Sequence, residues 1–306
     1  MHAIRSTKPS RLYVAADGPR DRDGEAMLCQ KARDIATEIN WPCELFTQFR
    51  EDNVGCRIAV SSAIDWFFQH EEEGIILEDD CLPTPSFFRF CDELLARYRE
   101  EAQVMVICGS CFTDSTFDRE ESYYFSYYAD MWGWATWRRA WLLYDRNLSR
   151  WPAFKREKKL RSIVRNARWL ESAWADFFDR TAAFEIDTWD FQWIYTVMEQ
   201  RGLVCYPVRN LVSNLGFGES ATHTKGQAGS DPLASRHGHV LSFPLKHPVT
   251  VARAYALEEE LETVRLAYLK KTYERIKQAR KGRLKREFRR RLKAAYRSLV
   301  DALRTP

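Results

Sequence analysis

Glu78, Asp79 and Asp80 stand side by side directly after a short apolar run, Ile75-Ile76-Leu77. Three adjacent carboxylates repel one another unless a positive charge sits among them. A hard divalent cation that also holds phosphate oxygens meets that need. Side chains of an extended segment alternate faces, so Glu78 and Asp80 are expected on one side and Asp79 on the other. A solvated acidic turn that merely ends a strand is the plainer reading of the same residues. Farther along, Asp190 lies between Trp189 and Phe191 at the start of a helical pattern, an apolar setting that would raise a carboxyl toward a general base's range. Asp187, just ahead of it, reads as the cap of that helix. Asp17 precedes Gly18-Pro19, where aspartate also serves as an ordinary turn former. Gly216-Phe217-Gly218 followed by Ser220, Thr222 and His223 makes a loop able to wrap a phosphate, with His223 a candidate metal ligand. On its own that loop does not differ from a surface connection.

The elements that would position these groups alternate in type. Residues 12–16 form an apolar strand ending at Asp17. Residues 25–39 have helical spacing with Met27, Ala32, Ile35 and Ile39 as core positions, and residues 43–49 alternate as a second strand. Ile58, Val60, Ala63, Ile64 and Phe67 mark the next helix, and the run at 75–77 a third strand buried on both faces. Thr84 caps a helix with Pro85 in its first position and Phe87, Cys91, Leu94, Leu95 and Tyr98 on one face. Residues 104–108 give a fourth strand. Four strand–helix alternations with short links predict a parallel, doubly wound sheet, with Asp17 and the acidic triplet at its carboxyl edge, where such sheets bind ligands. Residues 123–144 are dense in aromatics. Trp132-Gly133-Trp134 would put two indoles on one face, for sugar stacking and, in larger share, for packing. Residues 151–180 read as a charged amphipathic cover.

With 306 residues and 45% hydrophobic content, the chain suffices for one large α/β domain with an appendage, expected at 1–250 and 251–306. The formal charge of +4 hides an asymmetry, because basic residues far outnumber acidic ones from Arg265 onward. There, Leu284, Phe288, Leu292, Tyr296, Leu299 and Leu303 form a narrow stripe amid Lys and Arg. A basic amphipathic helix over 265–304 suits an anionic membrane surface; a solvated or dimerising helix is the other reading. No nucleic-acid-reading motif accompanies the charge, so nucleic acid is not expected as a partner. The eight cysteines are scattered. Cys108-Gly-Ser-Cys111 has redox or zinc-like spacing, but no second pair answers it, and buried thiols are expected. No signal peptide and no run of membrane-spanning length is evident, which makes a cytoplasmic location the expectation.

Taken in order, Ile76-Leu77-Glu78-Asp79-Asp80 with Pro85-Ser86-Phe87-Phe88, Trp132-Gly133-Trp134, Trp189-Asp190 and Val212-Ser213-Asn214 with Gly216-Phe217-Gly218 resemble the nucleotide-diphospho-sugar transferases of GT-A fold. The pattern is most similar to the N-acetylglucosaminyltransferase I family and its bacterial relatives, over residues 12–224. The acidic triplet and its Phe-Phe helix are the specific part. The resemblance implies a GT-A (Rossmann-like), mostly parallel mixed sheet flanked by helices. It implies Asp80 as the ligand of Mn²⁺ (or Mg²⁺) bridging the donor diphosphate, Glu78 and Asp79 on the ribose side and Asp17 at the uracil. It further implies Asp190 as catalytic base, and Ser220, Thr222 and, more loosely, His223 near the diphosphate. Family members open with a strand and helix ahead of the strand bearing Asp17. Only residues 1–11 precede it here, so that first strand is expected to be missing.

The function expected is a metal-dependent inverting glycosyltransferase, moving a sugar from a UDP-sugar to a hydroxyl of a glycan or lipid-linked acceptor at the inner face of a membrane. The alternative is a non-catalytic GT-A-like scaffold that docks through its basic C-terminal helix. A different metal enzyme, such as a phosphodiesterase, needs further His or Asp ligands that the sequence does not offer.

Overall fold

The computed structural model describes residues 1–113, 119–165, 168–216 and 236–261. In chain order these form α1 (His2–Thr7), β1 (Arg11–Ala16), α2 (Glu25–Thr37), β2 (Glu44–Phe49), α3 (Cys56–His70) and β3 (Glu73–Ile76). Then come β4 (Cys81–Pro83), α4 (Pro85–Arg97), β5 (Val104–Cys108), β6 (Tyr123–Ser126), β7 (Trp134–Trp137) and α5 (Arg138–Trp141). The series ends with α6 (Trp151–Arg156), α7 (Lys159–Ile163), α8 (Arg168–Ala182), α9 (Asp190–Glu199), β8 (Leu203–Pro207) and β9 (Val212–Asn214). The compact unit is Met1–Leu261, and the basic segment 262–306 lies outside the described residues. No helix among the described residues is long and apolar enough to cross a membrane.

The molecule is α/β, as its sequence predicts, but the sheet differs from a parallel doubly wound one. A five-stranded mixed sheet runs β3-β7-β5-β8-β6, while β1 and β2 pair in parallel as a separate ribbon. Within the large sheet only β5 and β8 pair in parallel; β7 is antiparallel to both β3 and β5, and β6 to β8. The cause is the long return after β5. The chain comes back across the carboxyl edge and turns at Gly133, whose φ of 68° is readily accessible only without a Cβ. It then drops between β3 and β5 with Trp134 opposite both Ile76 and Cys108. A Cβ on Gly133 would meet Val212 at 2.8 Å, so close packing reinforces the backbone requirement.

Because β3 and β5 point the same way, their carboxyl ends and the start of β7 share one edge. β5 and β8 are buried along their whole length, whereas β3 is half-buried rather than covered on both faces. α4 buries the face its pattern dictates, but the Thr84 hydroxyl donates to the His239 carbonyl at 3.2 Å and makes no cap hydrogen bond. Thr84 precedes the helix, Pro85 occupies the first turn, and Phe87, Cys91, Leu94, Leu95 and Tyr98 are all buried. α2 does not bury its patterned face. Met27, Ala32 and Ile35 face solvent, Met27 being 71% exposed. The partly buried side carries Arg33 instead, whose guanidinium donates to the carbonyls of Asp17 and Arg50 and lies over the Phe49 ring. A cation that satisfies two strand-end carbonyls fixes this helix more firmly than three apolar side chains with nothing to cover.

All eight cysteines are free thiols. The aromatic-rich stretch is mostly core: Trp134, Trp141, Trp189 and Trp193 are buried and packed together, with Trp134 and Trp189 stacked at 5.7 Å. Trp132 and Trp134 do not share a strand face, since β7 begins at Trp134 after the left-handed Gly133. Trp132 is partly exposed and packs edge-on against Phe112.

Candidate functional site

The carboxyl edge of β3 gathers acidic residues from both halves of the chain. The triplet does not continue the strand. The Cys81 amide donates to the Glu78 carbonyl at 3.1 Å, closing a turn that leaves Asp79 exposed and Glu78 and Asp80 partly buried. The inward and outward sorting matches the alternation expected of an extended segment, but a turn produces it. Burial, followed by the charges of Asp190, Asp80 and Asp79, pushes the Glu78 carboxyl up to about 8, and a hydrogen bond from Trp189 pulls the other way. Glu78 and Asp190, more than a hundred positions apart, thus lie within electrostatic reach.

Asp190 opens α9 with one oxygen occupied. Its Oδ1 accepts the Thr188 hydroxyl and, at 2.9 Å, the Phe191 amide. Its Oδ2 accepts no hydrogen bond among the described residues, and the side chain is only partly buried. Gln192, fully buried, in turn donates to the Thr188 carbonyl at 2.6 Å, so the residues around Asp190 are held from below. A carboxylate with one oxygen anchored and the other open has the orientation of a proton acceptor.

Asp80 is joined to the start of the glycine loop. β4 and β9 pair antiparallel, the Leu215 amide donates to the Asp80 carbonyl at 2.8 Å, and the Gly216 amide donates to Asn214 Oδ1 at 2.7 Å. A Cβ on Gly216 would stand 2.1 Å from Asp80 Oδ2, so glycine is what lets the loop approach this carboxylate. Burial and then the Asp79 charge raise the Asp80 carboxyl, against hydrogen bonds from Cys81 and Asn214. Ser220, Thr222 and His223 lie outside the described residues.

Asp17 sits at the end of β1 with its carboxylate occupied by backbone. It accepts the amides of Gly18 at 2.9 Å, Val54 at 3.0 Å and Gly55 at 3.1 Å. About four acceptor positions exist on a carboxylate, so a ligand would find roughly one left. Gly18 presses on the neighbouring turn, where a Cβ would meet the Asp52 carbonyl carbon at 2.2 Å, and Asn53 donates to the Gly18 carbonyl.

Asp187 caps a different helix from the one expected. It takes the amides of Cys56 at 3.0 Å and Arg57 at 3.1 Å, the first two of α3, whereas α9 begins only at Asp190. The reason is geometric: α3 runs back against β3, so its open amides face the same edge. Arg57, 3% exposed, completes the joint by donating to the carbonyls of Thr181 and Ile186. Cys56 lies in this acidic surround. Burial and the charges of Glu78, Asp190 and Asp187 push its thiol up to about 12, the reverse of a nucleophile's requirement.

No family model and no curated protein matches this chain.

Carboxylate oxygens are the donor type that a hard divalent cation takes. The carboxylates at this edge raise one another's affinity for protons, and among the described residues no group of three or more His, Cys, Asp or Glu is placed to hold a metal ion. Asp80 is partly exposed, with the Gly216 backbone close against its Oδ2. Sequence reasoning gives no role to the Thr188 hydroxyl or the Asn214 side chain, and it reads Asp187 as a cap but assigns it to the wrong helix. Asn214-Leu215-Gly216 carries the one local signal, an Asn able to bond the backbone two residues on.

Proposed function

We propose that this protein is a metal-dependent inverting glycosyltransferase of GT-A type, taking a UDP-sugar as donor and a hydroxyl of a glycan or lipid-linked molecule as acceptor. The observation that carries the reading is the meeting of Asp190 with the Glu78–Asp80 turn at one sheet edge. A leaving-group site and a base are the two halves an inverting displacement needs. Asp80 would hold the cation, which when bound supplies positive charge to the departing diphosphate. Glu78 and Asp79 face the nucleotide side, and Asp17 steadies the turn before α3 while keeping an acceptor toward the base. Asp190 Oδ2 takes the acceptor hydroxyl's proton as that oxygen bonds to the anomeric carbon and the bond to the diphosphate oxygen breaks. Thr188 keeps Asp190 turned outward. The basic segment 262–306 is proposed to hold the enzyme at an anionic membrane.

A second reading is a non-catalytic relative that keeps the fold and docks through its basic segment. Occupation of Asp17 by three backbone amides favours it.

Calorimetric titration with UDP separates them. Mn²⁺-dependent binding that is lost in Asp80→Ala supports the transferase; no binding by folded wild type at any Mn²⁺ concentration sinks it.

A further inference from the structure

Away from the acidic edge, α6, α7 and α8 enclose an open cleft of about 340 Å³. Trp151 lies in it, and Lys155, Lys158, Arg161 and Arg168 line it against a single carboxylate, Glu171. Two of the cations are fixed by partners. Lys155 Nζ meets Asp179 at 2.6 Å and lies 6.0 Å from the Trp151 ring centre, and Arg161 Nε meets Glu171 at 3.1 Å. Lys158 and Arg168 form no ion pair among the described residues, and both are exposed. Between 150 and 168 basic residues outnumber acidic ones several-fold, so the excess is regional and not confined to the lining.

We propose that this cleft binds a phosphorylated group, either a soluble phosphate ester or a phospholipid headgroup, at a site separate from the acidic edge. Apart from Glu171, which pairs with Arg161, the charged groups lining the cleft are cations, and arginine and lysine together supply a fork and point charges for phosphate oxygens. The volume exceeds a bare ion and matches the lower range of small-ligand sites. Trp151 cannot give the ligand its N–H, which already donates to Asp179 at 2.9 Å, so the indole contributes an apolar wall. None of Glu78, Asp79, Asp80 or Asp190 lines the cleft, so this inference stands or falls apart from the transferase reading.

The test is calorimetry of inorganic pyrophosphate with the full chain, in a chelator and at low salt. Saturable binding to one site is expected, weakened at least roughly tenfold in Lys158→Glu/Arg168→Glu and unchanged in Asp80→Ala. Undiminished binding by the double variant, with wild-type circular dichroism and Tm, would overturn the proposal, as would the absence of saturable binding to wild type. Should the charge reversals disturb folding, Lys158→Ala/Arg168→Ala gives the same comparison. Phosphatidylcholine vesicles with and without phosphatidic acid identify the source. If only the phosphatidic acid vesicles displace pyrophosphate, and the double variant no longer pellets with them, the ligand is a headgroup. Pyrophosphate binding that such vesicles leave intact assigns a soluble phosphate.

Discussion

Asp187 shows how a single carboxylate ties the two halves of the edge together. It closes the open amides of α3 from the segment that leads into Asp190; Gly55, just before α3, has a φ of 82° that favours glycine, and a Cβ there would lie 2.6 Å from Asp187 Oδ2. Removing such a cap costs about 1 kcal/mol, within a range of about 0.5–2. Asp187→Ala is therefore expected to lower unfolding free energy by about 1 kcal/mol, and Asp187→Asn by less, because the amide oxygen still accepts. Urea denaturation at constant slope measures this, and an Asn variant as damaged as Ala would show that charge and not capping is at stake. Residue type alone made Asp187 and Asp190 legible as acids at a helix start. Which helix each served was not legible, since the amides of α3 reach Asp187 only through the antiparallel return of α3 along β3. Glu78 was legible as an inward acid, although a turn and not a strand turns it inward.

At the scale of elements, α4 could be read to the residue because its apolar positions repeat at helical spacing and its start carries Thr84-Pro85. α2 carries a similar pattern yet leaves it facing solvent, because periodicity shows that a helix has an apolar side without showing what covers it. The insertion of β7 between β3 and β5 was equally invisible: strand pairing over long separations leaves no local periodic mark, and Gly133 alone hints at a reversal. The segment 236–254, which crosses back over α4 and β6, is held by side chains that sequence could not pair. Tyr123 Oη and His247 Nδ1 lie 3.0 Å apart, Nε2 faces Glu93 at 3.4 Å, and Arg97 lies nearby through Tyr98. Burial and the Arg97 charge lower the His247 pKa below 6.5, more than Glu93 raises it. The folded state therefore favours neutral imidazole. Its contribution is present above the unfolded pKa and is lost as pH falls through the folded one. The Tm advantage of wild type over His247→Gln is expected at pH above 7 and should shrink steadily below 6.5. A gap that widened on acidification would mean the charged form is the one bound.

For the whole molecule, the last described stretch decides whether the sheet has a free edge beside β6. Residue 253 bridges in parallel to Phe125, and the Ala254 amide donates to the Phe125 carbonyl at 2.9 Å. Beyond it, residues 255–261 are helical and bury Leu257 and Leu261. Glu258 anchors this stretch with no solvent exposure. It accepts Ser126 Oγ at 2.9 Å and the Tyr127 amide at 2.8 Å, and pairs with Arg253. Arg253, with 6% of its side chain exposed, also donates to the Ile163 carbonyl of α7 and covers the Tyr127 ring. One ion pair thus links the sheet edge, the α6–α8 layer and the end of the compact unit. Burial raises the Glu258 carboxyl, and the arginine with its other donors opposes that rise, so each charge is tolerated only because of its partner. Breaking a buried pair from one side costs roughly 3–5 kcal/mol, whereas replacing both members by apolar groups of similar volume is often neutral or better. Glu258→Ala should therefore unfold at markedly lower denaturant and expose the 251–261 stretch to protease. Arg253→Met/Glu258→Leu should recover most of the loss, although Ser126 and the Tyr127 amide then need other acceptors. Equal losses in the single and double variants would mean that those two hydrogen bonds, rather than the uncompensated arginine, hold the end of the domain in place.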